Sequence, residues 1–217
     1  MTVHECTKQE SLSLLFLTVC NPVFKLVNSS IQLDISTKIV NDDLTWLFNQ
    51  KENIVKYSVR LRVLGRFKGR VKFDEETHSL TLYNIQKTDS GLYQAEYAGE
   101  KREIVATHQI HVLDPVGKTF LNVSHQQSTD TCNVTLICGA QNLSLTSHCY
   151  NDTCDMKEQK TVGDAFLSLS LYISNNTIVC NHSNPVSWKT TTMEMKYVKQ
   201  LCLSEGVSMH TYCMGEM

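Results

Sequence analysis

A chain of 217 residues that is 41% hydrophobic and 19% charged has an ordinary globular composition and is long enough for two sandwich-sized domains. Its formal net charge of −2 removes any electrostatic case for nucleic acid or an acidic membrane surface as partner. Nine cysteines are unevenly spread: Cys6 and Cys20 lie near the start, none falls between Cys20 and Cys132, and the rest follow from Cys132 onward. Asn-x-Ser/Thr acceptors begin at Asn28, Asn122, Asn133, Asn142, Asn151, Asn175 and Asn181. One such tripeptide arises easily by chance. Seven beside a cysteine cluster point to a glycoprotein of the secretory pathway, extracellular, and either secreted or displayed at a cell surface.

Residues 1–20 read as a signal peptide around the apolar run from Ser11 to Cys20, which is too short to span a bilayer. Its leading region is weakly charged, since Lys8 is offset by Glu5 and Glu10, and a buried strand is the competing reading. From Val23 the pattern turns to alternation. Val23 to Leu26 forms a first strand, and Ser30 to Ile35 places Ile31, Leu33 and Ile35 on one face. Leu44 to Phe48 supplies the next strand, with Trp46 as its core residue. Ile54 to Tyr57 and Arg60 to Val63 read as short, basic edge strands, followed by Gly69 to Asp74 and His78 to Tyr83.

The stretch Asp89-Ser90-Gly91-Leu92-Tyr93-Gln94-Ala95-Glu96-Tyr97 has the spacing of a tyrosine corner entering the sixth strand of an immunoglobulin-type sandwich. Two positions past the tyrosine, where such domains usually carry a cysteine, stands Ala95. Its partner position holds Leu33. The domain is thus expected to fold by burial alone. Arg70 is expected to pair with Asp89 across the end of the sandwich, where domains of this type commonly have such a pair, a solvated arginine being the alternative. A turn at Ala98-Gly99-Glu100 returns the chain through Arg102 to Val112, completing about nine strands, the number of a variable-type domain.

After the junction Leu113-Asp114-Pro115-Val116-Gly117, a strand from Cys132 to Cys138 puts Val134, Leu136 and Cys138 on one face, and Cys180 follows in Thr177 to Cys180. The interval from Cys138 to Cys180 is shorter than that from Leu33 to Ala95, as in a constant-type sandwich with fewer strands. On that pattern Cys138 pairs with Cys180, Cys132 and Cys202 tie the ends of the domain, and Cys149 and Cys154 form a local bridge. The set His148, Cys149, Cys154, Cys180 and His182 could suggest zinc by composition, but its spacing matches no paired-cysteine zinc motif. No metal or cofactor is expected. Neither a phosphate-cradling glycine loop nor a nucleophile elbow occurs, so the chain reads as no enzyme and takes no small-molecule substrate. The fold class is all-β: two tandem immunoglobulin-like sandwiches, variable-type without a disulfide over 21–113, then constant-2-type with disulfides over 118–203, and a short tail over 204–217.

Three features together resemble the signalling lymphocytic activation molecule (SLAM) family of leukocyte receptors. They are the disulfide-free variable-type domain with Trp46 and the Asp89-x-Gly91-x-Tyr93 corner; the junction Val112-Leu113-Asp114-Pro115-Val116; and Cys132-x5-Cys138 with the run from Cys180 through Asn184-Pro185-Val186-Ser187-Trp188, closing at Cys202. The resemblance implies an immune-cell recognition glycoprotein that binds a SLAM-family receptor, itself or a sister member, and modulates leukocyte activation or adhesion. A secreted decoy or soluble splice form that blocks such a receptor is the alternative. It also implies that the front sheet of the first domain makes the contact. Taking Trp46, Tyr93 and Ala95 as inward, the outward candidates are Thr45, Leu47, Lys56, Gln94, Glu96, Lys101 and Glu103. Ordinary solvated positions are the competing reading for them. The chain departs from the family where Cys149 stands near the usual second-domain tryptophan and Ile178 replaces the corner tyrosine. Past Cys202 it runs through Cys213 to Met217 without an apolar run for a membrane span or a lipid-anchor signal, so a soluble form or an incomplete anchored one is expected.

Overall fold

The computed structural model describes residues 7–9, 17–19, 21–35, 43–99, 102–127, 132–150, 153–161, 166–203 and 212–213, the first two segments and the last as backbone only. The chain divides into two compact units, Met1–Asp114 and Pro115–Met217.

In the first unit β1 (Thr7–Gln9) and β2 (Leu17–Val19) pair antiparallel, with Lys8 opposite Thr18. The rest of the expected signal peptide lies outside the described residues. Then come β3 (Val23–Leu26), β4 (Ile31–Leu33), β5 (Leu44–Phe48), β6 (Glu52–Tyr57), β7 (Arg62–Val63), β8 (Val71–Phe73), β9 (Leu80–Leu82), β10 (Gly91–Ala98) and β11 (Arg102–Leu113). They form a six-stranded sheet in the order β3-β11-β10-β5-β6-β7 and a three-stranded sheet in the order β4-β9-β8. Alternation is the cause. β4 buries Ile31 and Leu33 around an exposed Gln32, while β5 buries Leu44, Trp46 and Phe48. Leu33, Trp46 and Ala95 belong to one buried cluster, in which apolar side chains stand where a bridge would. The Trp46 indole N–H donates to the carbonyl of His78 at 3.0 Å, so the largest core side chain leaves no orphan donor.

The corner is built as its residues require. Asp89 ends a short 3-10 turn, Lys87–Asp89, and is almost fully buried, with 1% of its side chain exposed. It receives Arg70 in a two-pronged contact, Nη1 to Oδ2 at 2.6 Å and Nη2 to Oδ1 at 3.2 Å. The Gln86 backbone N–H donates to the same carboxylate at 2.8 Å. The Tyr93 hydroxyl donates to the Asp89 carbonyl at 2.7 Å. Gly91 carries no side chain because there is no room for one: a Cβ there would lie 2.5 Å from Asn49 Oδ1 and 2.6 Å from the Phe48 ring.

The second unit comprises β12 (Thr119–Gln127), β13 (Cys132–Ala140), β14 (Leu143–Tyr150), β15 (Thr153–Cys154), β16 (Lys157–Lys160), β17 (Ser168–Ser174), β18 (Thr177–Asn184), β19 (Ser187–Glu194), α1 (Met195–Leu203) and β20 (Tyr212–Cys213). One sheet runs β15-β14-β13-β12-β20 and the other β16-β17-β18-β19, so each is largely a series of consecutive hairpins. Cys138 on β13 and Cys180 on β18 are bonded, joining the two sheets through the core. Cys149 and Cys154, opposite each other on β14 and β15, form the local bridge. Cys132 is also disulfide-bonded, while the side chain of its expected partner, Cys202, lies outside the described residues.

Turn chemistry explains the departure at Ile178. Asn175 and Asn176 both have positive φ, 48° and 64°, and close β17 onto β18 as a tight hairpin. Ile178 is then simply a core residue. The Asn184-Pro185-Val186-Ser187 turn is locked by Asn184 Oδ1, which accepts from the Val186 and Ser187 N–H groups at 3.0 and 2.9 Å and from the Ser187 hydroxyl at 3.0 Å. Helix α1 is an addition to the sequence-based expectation. Its Met195 and Val198 are buried in the second core and Leu201 packs against it, the spacing of one helical face.

Candidate recognition face

The outward side of the six-stranded sheet is the candidate site, and cross-strand pairing fixes its composition, since directly opposed residues share a face. One row across the strands is Arg62, Lys56, Thr45, Glu96 and Ile104. The next is Asn53, Leu47, Gln94 and Thr107. Thr45, Leu47, Lys56, Gln94 and Glu96 are therefore brought together on the face where the sequence puts them. Gln94 is on this face but only 8% exposed, covered as the central residue of its row.

Two bulges shape the remainder. Between Trp46 and Leu47 the register to β6 shifts, which turns both Ile54 and Val55 into the core and leaves Lys56 facing out. Between Ala95 and Glu96 the register to β11 shifts as well, so Glu96 faces Ile104 and Tyr97 faces Glu103. Glu103 consequently lies on the opposite side of the sheet from Glu96, a correction to simple alternation: the extra residue, Val105, inverts the parity of everything before it on β11. Ile104 takes its place, 57% exposed. Lys101 lies outside the described residues. Arg62 and Ile104 are the face residues that alternation missed; neither bulge has a glycine or proline to betray it.

The electrostatics follow from this composition. Arg102, on the Ala98 row of the same face, reaches Glu96 at 3.3 Å, so the acid is already neutralised. Arg62 and Lys56 stand exposed and adjacent on β7 and β6. Counting the Ala98 row, where the Asp43 carbonyl accepts from the Ala98 N–H and Asp43 is exposed, three cations accompany two carboxylates among the described residues, and the cations without a carboxylate beside them, Arg62 and Lys56, make the β6–β7 side of the face basic.

Nothing in this arrangement converges on a reacting atom. Among the described residues there is no group of three or more His, Cys, Asp or Glu that could hold a metal ion. No helix among them is long and apolar enough to cross a membrane.

Two sandwiches, the first closed by a tyrosine corner without a disulfide and the second bridged between its sheets, define the class as tandem immunoglobulin-like domains. No protein-family profile matches the chain. Human CD48 antigen is 26% identical over 187 residues, which cover 82% of this chain and 76% of that protein. The chain is thus homologous to a member of the SLAM family, as its motifs indicate. Among solved structures, murine CEACAM1b superposes with a TM-score of 0.56 at 19% identity, over 79% of this chain and 94% of that one. The CD2-binding domain of CD58, lymphocyte function-associated antigen 3, gives 0.52 at 16% identity, over 80% and 95%. These two likenesses establish the fold alone.

Proposed function

We propose that the chain is an exported glycoprotein whose first-unit front face binds a SLAM-family receptor on another leukocyte, and that this contact modulates adhesion or activation. Homology to CD48 antigen supports the class of partner. The observation that carries the choice of face is the distribution of glycan acceptors. Six of the seven acceptor tripeptides begin beyond residue 115, and the remaining one, at Asn28, is in the first unit. Asn28 follows Val27, whose N–H donates to the carbonyl of Leu113 at the end of β11. Ile104 is nine residues back along that strand, about 30 Å away at the rise of an extended chain. The row from Arg62 to Ile104 is therefore free of acceptors and far from Asn28, so a glycan on the first unit leaves it open to a flat protein surface. Its exposed Arg62 and Lys56 favour a partner whose opposing face carries carboxylates.

The test is binding of the full chain to a panel of SLAM-family ectodomains, with Lys56→Glu and Arg62→Glu on the front face and Lys72→Glu on β8 of the opposite sheet. The front-face reversals are expected to weaken binding to the cognate receptor at least tenfold, with Lys72→Glu unchanged. Loss with Lys72→Glu alone would assign the contact to the other sheet.

A further inference from the structure

The outer face of the β16–β19 sheet carries a tryptophan that the receptor contact does not use. Trp188 is 73% exposed, whereas Trp46 is wholly buried. An uncovered indole leaves a large apolar area in water. On β18 Cys180 and His182 face the core, so Asn181 and Ser183 face out. Asn181 lies opposite Ser170 on β17 and Thr190 on β19. Trp188 lies opposite Ser183, and Tyr172, 41% exposed, lies opposite Val179. Each aromatic is thus one strand over and two residues along from Asn181, about 7–8 Å between Cα atoms, at opposite corners. On the Trp188 side the immediate neighbours of Asn181 are the small side chains Ser183 and Thr190, with Ser170 across on β17, which leave open space toward the indole, while Val179 stands between Asn181 and Tyr172. Asn181-His182-Ser183 is a glycan acceptor whose asparagine and serine both point outward.

We propose that Asn181 carries an N-linked glycan whose innermost sugars lie on the face of Trp188, making this indole an internal glycan platform and not a protein-docking residue. In the attachment step Asn181 Nδ2 bonds to C1 of the first N-acetylglucosamine. The bond broken joins that C1 to the pyrophosphate of a lipid-linked oligosaccharide donor, and the amide proton leaves to a base of the transferase. A pyranose ring presents C–H groups on one face, and their partial positive charge suits the electron-rich face of an indole, the same quadrupole that attracts cations. Sugar hydroxyls at the rim remain in water above Ser183 and Thr190. The proposal rests on export of the chain, not on the first-unit receptor contact, so it stands or falls separately from that contact.

The experiment uses the full chain secreted from glycosylating cells. Peptide mapping after enzymatic glycan release in heavy-oxygen water is expected to find Asn181 converted to labelled aspartate; an unmodified Asn181 overturns the proposal. Acrylamide quenching of the folded protein reads Trp188, because Trp46 is buried. Enzymatic release of the glycan is expected to increase quenching at least twofold in wild type and to leave Trp188→Ala unchanged, while equal quenching before and after release overturns the platform. Thermal unfolding supplies the coupling. Asn181→Gln and Ser183→Ala remove the glycan through different side chains, and each, like Trp188→Ala, is expected to lower the second-unit midpoint by on the order of 4 °C. The Asn181→Gln/Trp188→Ala double variant is expected to fall no further than either single one. Additive losses would assign Trp188 a role unrelated to the glycan.

Discussion

Replacing Asp89 with alanine should be the most damaging single change at the end of the first sandwich. The carboxylate is 1% exposed, holds Arg70 by two contacts, lies 3.7 Å from Arg66 and accepts the Gln86 N–H. Its removal leaves a guanidinium and a backbone donor without their acceptor. Breaking a buried pair from one side costs about 3–5 kcal/mol. Arg70 keeps 25% of its side chain in water, which places the expected loss near the lower end, about 3 kcal/mol. For a domain of this size that corresponds to a drop of at least about 12 °C. Urea unfolding in a Trp188→Ala background, followed by tryptophan fluorescence, isolates the first unit, because Trp46 is then the one tryptophan and goes from buried to exposed. The pH dependence gives a second reading. Burial pushes the Asp89 carboxyl up, but the Arg70 hydrogen bond, the Gln86 N–H and the charges of Arg70 and Arg66 outweigh it, leaving the group below the usual carboxylate range. A carboxyl depressed on folding contributes stability above its unfolded value, about 3.9, that is lost as pH falls through the lower folded value. Asp89→Asn should therefore flatten the acid limb of the stability curve while leaving the neutral fold intact. A loss under about 1 kcal/mol for Asp89→Ala, the value of an exposed pair, or simple additivity with Arg70→Ala, would refute the reasoning.

Gly91→Ala forces a methyl group against the Phe48 ring and Asn49, and should cost about 1–3 kcal/mol by the same urea assay. Replacing Cys138 and Cys180 together by alanine should destabilise the second unit by about 2–5 kcal/mol, read by calorimetry, while the Trp46 transition stays in place. Receptor association should slow as salt is raised, and Lys56→Glu should flatten that dependence in stopped-flow or surface-binding kinetics, because rim charges act chiefly on encounter.

Much of the first unit was legible because its strands are amphipathic and its closure has a local motif. Asp89, Gly91 and Tyr93 each have a steric or hydrogen-bonding reason to occupy their places, and those reasons act over a few residues. The Arg70 pairing could be anticipated because immunoglobulin-type domains commonly carry such a pair at this corner, and the burial of Asp89 shows why it is needed. The second unit was less transparent. Asn175-Asn176 is a strong hairpin signal, since asparagine tolerates the positive φ that such turns need, yet on the family template the same stretch reads as an altered corner. Helix α1 follows a long strand through Glu194 without a proline or glycine to mark the change, and its apolar spacing covers only two turns.

The recognition face shows where alternation fails as a guide. Strict parity puts Glu96 and Glu103 together and yields a face of mixed charge. A bulge is a property of two strands at once: it arises when facing residues pack better with one residue left over, and neither strand alone records it. At Val105 the leftover residue exchanges Glu103 for Ile104, and at Ile54 it buries two successive apolar residues so that Lys56 stays outward beside Arg62. With Arg102 holding Glu96, and Lys56 and Arg62 side by side, the β6–β7 side of the face becomes basic. A second copy of this chain that met this face with its own β6–β7 side would oppose cations to cations there. On the proposed reading, a sister receptor with acidic groups on its own face fits this charge pattern better than such a like-to-like contact, and the Lys56 and Arg62 reversals distinguish the two. Either reversal should weaken binding to an acidic partner but strengthen a homophilic contact of that kind by relieving the repulsion. Sedimentation of the reversed variants beside their receptor binding would decide between the two kinds of partner.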